Sequence, residues 1–328
     1  MPASHRTRPA TTAITALALA TATTAPANAL PTGPDTADYP GHTTSSYVLL
    51  TDDTTDRASA YQSGCAHAES GRNGLRILFF GTQEDNGRLR HPGTTAAATG
   101  QRTAADQAVT VARGWAEGFT ACRTDDTTAR LALGVNNKSD GGLTGATAGK
   151  QWAAIVDEAA DQADTTAVTI TGAVDAEPGW SAPRWARAWV KAFTSATDRT
   201  LYAANSADGC PVHGSASTSC NNGWDLADLH YVATGAAPTI RAVPQIYRTD
   251  GIQARQWAAI SSWGATHGNG PVRFAGSLSQ HTACSQRGGC PTTDNTPEAA
   301  WTQLWNELNA HPETQISALP YATDMRWP

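Results

Sequence analysis

Residues 168–196 read VTITGAVDAEPGWSAPRWARAWVKAFTSA. The first seven residues form a β-prone apolar run that predicts a buried strand, and Trp185, Trp189 and Phe193 then recur at helical spacing. A strand followed by an amphipathic helix is the repeating unit of a parallel sheet, because parallel neighbours need a long crossover connection. This segment therefore predicts one β/α unit.

The same alternation covers most of the chain. Apolar β-prone runs alternate with helical stripes that carry Trp115, Trp152, Trp257 and Trp301. The predicted strands are 47–50, 75–80, 129–135, 168–174, 200–204, 230–233, 242–247 and 272–278. Eight units within residues 45–328 predict an α/β fold, a single-domain (β/α)8 TIM-like barrel.

Two details qualify this architecture. Residues 234–241 are too few for a helical crossover, so we expect the barrel to lack the helix between its sixth and seventh strands. An open doubly wound sheet is the alternative fold. It is disfavoured because no Gly-rich phosphate-binding turn follows the first strand.

The beginning of the chain has the pattern of an export signal. Arg6 and Arg8 precede an uncharged apolar stretch that ends in the small residues Ala27 and Ala29. We interpret residues 1–29 as a signal peptide and 30–44 as a flexible segment. The apolar stretch is too short to span a bilayer. We therefore expect a secreted, extracellular protein without a membrane span.

Composition limits the partners. The chain has 328 residues, with 23 Lys and Arg against 29 Asp and Glu and a net charge of -6. A nucleic-acid-binding protein needs a basic stripe, and this sequence has none. We expect a monomer that does not bind nucleic acid.

The six cysteines are an even number after the predicted signal. Fifteen pairings are open, and proximity along the chain favours three of them. A zinc site is the weaker alternative, because no Cys-x-x-Cys pair occurs and the expected compartment is oxidising. The favoured disulfides are Cys65 with Cys122, Cys210 with Cys220, and Cys284 with Cys290.

The candidate catalytic residues follow the fourth predicted strand. Residues two apart on a strand point to the same face, so Asp175 and Glu177 should enter the barrel mouth together. Two neighbouring carboxylates repel each other, so one of them tends to keep its proton. Cleavage of a glycosidic bond needs one carboxylic acid and one carboxylate in this arrangement. In the structural alternative, Glu177 or Ser181 caps the next helix ahead of Pro183.

The stretch 171–178, TGAVDAEP, resembles the fourth-strand motif of barrel glycoside hydrolases, notably the secreted family 25 lysozymes and, less closely, family 18 chitinases. In the lysozyme family the Glu is the catalytic acid and another Asp ends the first strand, so the resemblance implies these roles for Glu177 and Asp52. The chitinase motif has an additional Asp where this chain has Ala173. That departure argues against catalysis by the substrate's acetamido group. The layout also resembles secreted bacterial barrels without an assigned activity.

Other polar and aromatic residues fall at predicted strand ends or in the following loops. Carboxamides and a phenol there suit hydroxyl-rich ligands, and an indole ring in a loop suits stacking on a sugar face. Packing inside loops is the alternative for these rings. The predicted substrate-binding residues are Asn136, Trp180, Asn205, Trp224, Gln245, Tyr247 and Gln280.

These features favour a secreted glycoside hydrolase acting on bacterial cell-wall glycan or another extracellular polysaccharide. The histidines have no metal-binding spacing and no Gly-x-Ser-x-Gly occurs, so we expect neither a metal, a cofactor nor a serine nucleophile. The alternative is a non-catalytic barrel that binds glycan or protein, since no complete family signature is present.

Overall fold

The computed structural model of the chain describes residues 38–98, 100, 102–124, 126–163 and 165–328. Eight parallel strands form one sheet that curls into a nearly closed barrel, which confirms the predicted fold class. The predicted signal peptide lies outside the described residues. The strands are β1 (Thr43–Tyr47), β2 (Gly74–Phe79), β3 (Ala129–Asn136), β4 (Val168–Asp175), β5 (Leu201–Ala203), β6 (Ile240–Ala242), β7 (Gly276–Ser279) and β8 (Tyr321–Arg326).

Strands β1 to β6 follow one another around the barrel, and β7 and β8 lie on the other side of β1. The barrel closes between β6 and β7 through two isolated bridges, which pair Ala242 with Phe274 and Gln245 with Leu278. We call this contact the seam. Four backbone hydrogen bonds of 2.8 to 2.9 Å hold it together.

Helices cover the outside of the barrel. A small antiparallel sheet of Thr82–Gln83, Arg88–Arg90 and Arg102–Ala104 lies in the connection after β2. Within the described residues, no helix combines the length and apolarity that crossing a membrane requires. The helices are α1 (Asp53–Glu69), α2 (Gln107–Cys122), α3 (Gly145–Ala163), α4 (Pro183–Ala196), α5 (Leu226–His230), α6 (Ile252–Thr266), α7 (His281–Gln286) and α8 (Pro297–Asn309).

The core has two layers, which follow from the alternation of side chains along a strand. Leu75, Ile77 and Phe79 of β2 belong to the cluster inside the barrel. Leu78 and the following Phe80 belong to the larger cluster between the strands and the helices. The same alternation places Ala173 of β4 inside, so its period-two neighbour at the strand end faces the barrel mouth.

The β4–α4 unit packs closely because of one glycine. A Cβ on Gly172 would lie 2.3 Å from Cζ of Phe193, so only glycine lets the helix approach the strand this closely. Trp189 stacks on Phe193 with ring centres 5.3 Å apart. This packing fixes the position of the loop that connects the strand to the helix.

Two strand assignments need correction. Residues 230–233 do not form a strand, because they continue α5 into the π-helical turn Tyr231–Gly235. The side chain of Asp225 accepts from Asp228 N and that of Asp228 accepts from Asp225 N, so a capping box starts this helix. The short connection 234–241 thus joins a helical turn to β6. The expectation that a helix is missing between the sixth and seventh strands is therefore wrong, because α6 lies between β6 and β7. The eighth strand is β8, which the sequence analysis did not assign.

Three disulfides join the pairs that proximity favours. Cys65–Cys122 connects the last turns of α1 and α2. Cys210–Cys220 closes a loop after β5, and Cys284–Cys290 ties α7 to the segment that follows it. Two of the three bridges therefore lie in segments that follow the carboxyl ends of strands.

Candidate functional site

Asp175 and Glu177 lie together at the carboxyl end of β4. Asp175 is the last residue of the strand and is only 4% exposed, whereas Glu177 is partly exposed. Asp175 follows the inward-facing Ala173 by two positions, so its side chain enters the barrel mouth. Both acids are thus largely sheltered, and Asp175 is the more deeply buried of the two.

A single carboxamide contacts both acids. Nε2 of Gln245, beyond β6, donates to Oδ1 of Asp175 at 2.8 Å and to Oε1 of Glu177 at 3.1 Å. The same nitrogen lies 3.1 Å from the carbonyl oxygen of Ala204. Because both carboxyl oxygens contact one atom, they are no more than about 6 Å apart.

The environment favours the protonated form of both acids. Burial, assisted by the charge of Glu177, holds the pKa of Asp175 well above its usual range. Burial also raises the pKa of Glu177 to about 7, against the opposing hydrogen bond from Gln245. Two carboxylates this close cannot both ionise easily, so the pair shares a proton near neutral pH.

Asn137 fixes the backbone of Glu177. This residue follows β3, is fully buried, and accepts from Glu177 N at 3.0 Å while donating to Glu177 O at 3.1 Å. It also donates to Oγ of Ser181 at 2.9 Å. Ala182 is the N-cap of α4, with no side-chain cap bond, so neither Glu177 nor Ser181 acts as the helix cap.

A cavity of about 180 Å³ opens beside Asp175. The predicted residues Asn136 and Trp180 line it. Oδ1 of Asn136 accepts from Oγ1 of Thr82 at 3.0 Å, which orients the carboxamide. A larger groove of about 570 Å³ lies between α1 and α2, but it contains none of the predicted binding residues.

The third carboxylate of the site is Asp208 rather than Asp52. Asp52 is exposed and accepts from Thr55 N at 2.9 Å, so it caps α1. This hydrogen bond holds the pKa of Asp52 below its usual range. Asp208, in the loop after β5, raises the pKa of both Asp175 and Glu177 through its charge. Asp208 is exposed like Asp52, but desolvation by the surrounding loop raises its pKa.

Asn205 and Tyr247 lie near the pair. Asn205 is fully buried, and its Oδ1 accepts from the backbone N of Ala176, between the two acids. Within the described residues its Nδ2 has no hydrogen-bond partner. Burial, together with the charges of Tyr47 and the two acids, raises the pKa of Tyr247, so its phenol stays protonated.

Trp224 and Gln280 are not brought to this site. Trp224 is 1% exposed in the outer core and donates to the carbonyl oxygen of Ser181 at 2.8 Å, so its ring face cannot receive a sugar. Gln280 donates to Thr293 O at 3.0 Å and precedes α7. These contacts give both residues a structural role.

The cavity also contains residues that the sequence analysis missed. Tyr47 packs on Trp327 with ring centres 4.8 Å apart, and both residues line the cavity. Lys138 lies 5.0 Å from the centre of the Trp180 ring, and Arg287 lies 4.7 Å from that of Trp327. Tyr47 is the last residue of β1, and Lys138 lies two residues after β3. Placing the first strand at 43–47 instead of 47–50 would have indicated Tyr47 as a strand-end residue. No comparable signal marked Trp327.

One cluster among the described residues has donor atoms close enough to surround a metal ion. It consists of Cys65, Glu69 and Cys122. The two sulfur atoms already form a disulfide, which cannot supply thiolate ligands. This chemistry does not fit a metal centre.

No protein-family model matches the sequence, and no curated protein does. The resemblance to family 25 lysozymes therefore rests on the quoted residues alone. Among solved structures, the chain is similar to a variant of the cellobiohydrolase Cel6A from Humicola insolens in complex with methyl-tetrathio-alpha-d-cellopentoside. The identity is 15%, the TM-score is 0.37, and the match covers 62% of this chain and 62% of that chain.

Proposed function

We propose that this protein is a glycoside hydrolase that acts on bacterial cell-wall glycan or another extracellular polysaccharide. One observation carries the proposal: Asp175 and Glu177 share the Nε2 donor of Gln245 at the mouth of a barrel, in surroundings that favour one proton on the pair. A proton donor beside a carboxylate is the minimum equipment for breaking a glycosidic bond.

In this mechanism Glu177 is the general acid. Its proton passes to the glycosidic oxygen as the bond between that oxygen and the anomeric carbon breaks. In the form of the pair that reacts, the shared proton is on Glu177 and Asp175 is the carboxylate. Asp175 then stabilises the positive charge that develops on the sugar ring, and Asp208 adds negative potential from the neighbouring loop. Water then adds its hydroxyl to the anomeric carbon and returns a proton to Glu177. Asn136 and the Trp180 ring would contact the sugar.

The test is the variant Glu177→Gln. It should lose sugar release from peptidoglycan, chitin and plant polysaccharides while retaining its melting temperature and circular dichroism. Glu158→Gln on the exposed surface of α3 is the matched control and should remain active. Unchanged sugar release by Glu177→Gln would rule out the assignment. Glycan pulldown without hydrolysis by the unmodified protein would instead support the non-catalytic binding barrel.

We also propose that the protein is secreted as a monomer. The three disulfides support export, because such bonds persist in oxidising compartments. Mature protein recovered from culture medium should begin at Leu30, after cleavage behind Ala29. Retention of residues 1–29 would contradict the proposed signal peptide.

A further inference from the structure

Two cations lie on the wall of the cavity beside Asp175. Lys138 and Arg287 come from different elements, the segment after β3 and the end of α7, yet both line the same cavity. Each lies over an indole ring of that cavity, Lys138 over Trp180 and Arg287 over Trp327. Contact with a ring face restrains a long flexible side chain, so less entropy is lost when the cation binds a ligand.

Neither cation forms a salt bridge within the described part of the chain. Lys138 does interact electrostatically with Asp175 and Glu177, which together carry about one negative charge when they share a proton. Arg287 is exposed, and its charge acts on Tyr47, which also lines the cavity. Because no carboxylate among the described residues pairs with Arg287, the Arg287 end of the cavity has an unpaired positive charge.

We propose that this cavity selects sugar units bearing an oxyanion, either a carboxylate or a sulfate, and that Lys138 and Arg287 bind that group. The inference deepens the proposed function and rests on it, since the same cavity would hold the sugar next to the cleaved bond. Guanidinium and ammonium groups bind carboxylates and sulfates through charge-assisted hydrogen bonds. The net charge of -6 opposes non-specific attraction of a polyanion, so binding requires a local site.

The test uses affinity electrophoresis of the full chain through gels that contain matched glycans. The pairs are polygalacturonate and its methyl ester, sulfated and neutral galactan, and soluble cell-wall glycan with its carboxylates free or amidated. The acidic member of at least one pair should retard the protein, and added NaCl should reduce this retardation. The pair that responds identifies carboxylate or sulfate as the source.

Variants link the effect to the two cations. Lys138→Gln and Arg287→Gln should each weaken binding of the acidic glycan by about tenfold. Lys191→Gln removes the same charge from the exposed surface of α4 and should bind normally. If Lys138→Gln weakens binding of the acidic and the neutral glycan of a pair equally, Lys138 serves only as a counter-ion of the acids. That result would overturn the proposal.

The outcomes separate this inference from the proposed function. Charge-selective binding without hydrolysis would retain the oxyanion site and reject the enzyme. Hydrolysis of a neutral glycan, with no preference for the acidic member of any pair, would retain the enzyme and reject the oxyanion site. Absence of retardation by every acidic glycan also rejects it.

Discussion

Asn137 holds the backbone of Glu177 at both of its polar groups, accepting from the amide nitrogen at 3.0 Å and donating to the carbonyl oxygen at 3.1 Å. The two residues follow neighbouring strands, β3 and β4, so a fully buried side chain bridges adjacent strand ends. The orientation of the proposed acid therefore depends on a residue that need not contact the substrate.

Replacing Asn137 by Ala should lower kcat by about 100-fold and leave KM nearly unchanged, because the acid is misplaced while the sugar contacts remain. Each buried backbone group left unpaired should also cost about 1–3 kcal/mol of stability. Steady-state kinetics below the melting temperature checks the first effect. Ser181→Ala removes another contact of Asn137 but preserves those to Glu177, and should retain most of kcat.

Gln245→Leu should shift the basic limb of the pH–rate profile to higher pH. The hydrogen bond from Gln245 lowers the pKa of Glu177, so its removal lets the acid keep its proton to higher pH. The unmodified protein should lose activity as pH rises through about 7, where Glu177 deprotonates. Gln280→Leu is the control, because its amide contacts Thr293 instead. An unchanged limb would contradict the assignment of Glu177 as the acid.

Stability should decrease as pH rises from about 4.5 to about 7. Across that window the unfolded chain releases the proton of Glu177 while the folded chain still holds it, so the unfolding free energy falls. The raised pKa of Asp175 contributes a decline of the same sign, so Glu177→Gln removes part of the decline and should make it shallower. Urea denaturation of both proteins at several pH values measures the difference. Identical slopes would show that folding does not perturb Glu177.

Hydrolysis should retain the anomeric configuration. The contacted oxygens of Asp175 and Glu177 are at most about 6 Å apart, short of the separation of about 6.5–9.5 Å that inverting enzymes need to place a water. Proton NMR of the first product formed reports its anomer. An inverted product would indicate that a more distant carboxylate, such as Asp208, acts with Glu177.

Two disulfides should differ in what their removal affects. Cys65–Cys122 spans 57 residues and should contribute about 4 kcal/mol, whereas Cys210–Cys220 spans 10 and should contribute about 3 kcal/mol. The short loop begins two residues after Asp208, however, so its double Ala variant should lose more kcat. Thermal melts and kinetics of both variants test this inverse order. Equal activities would contradict a role for the loop.

The β4–α4 unit could be predicted because its strand is uniformly apolar and its tryptophans keep helical spacing. Residues 230–233 could not be assigned correctly, because aromatic and β-branched residues favour strands while a capping box upstream starts a helix. Strand β8 was missed since its apolar residues are interrupted by Asp324. That carboxylate is buried and accepts from the backbone nitrogens of His281 and Thr282 at 2.9 Å.

The candidate site was predictable where a strand-end rule applied. Side chains at the carboxyl ends of barrel strands share the barrel mouth, and this rule predicts four residues of the site. They are Asp175, Glu177, Asn136 and Gln245. The choice between Asp52 and Asp208 could not be predicted, since it depends on whether a loop carboxylate caps a helix or acts by its charge on the pair. Trp327 is brought to the site only by the register of β8, which no local pattern specifies.

The seam gives the protein a weak point beside its chemistry. Gln245 pairs with Leu278 there, in the contact that closes the barrel by bridges instead of a continuous ladder. The two bridges of the seam are separate and form no continuous ladder like those between the other neighbouring strands, so we expect the seam to open locally before cooperative unfolding. Gln245 remains tied to the segment after β5, because its backbone nitrogen donates to Asn205 O at 3.1 Å, so such an excursion removes only the support that Leu278 gives it. Mild heat should therefore loosen the residue that contacts both acids, reversibly and before the barrel melts.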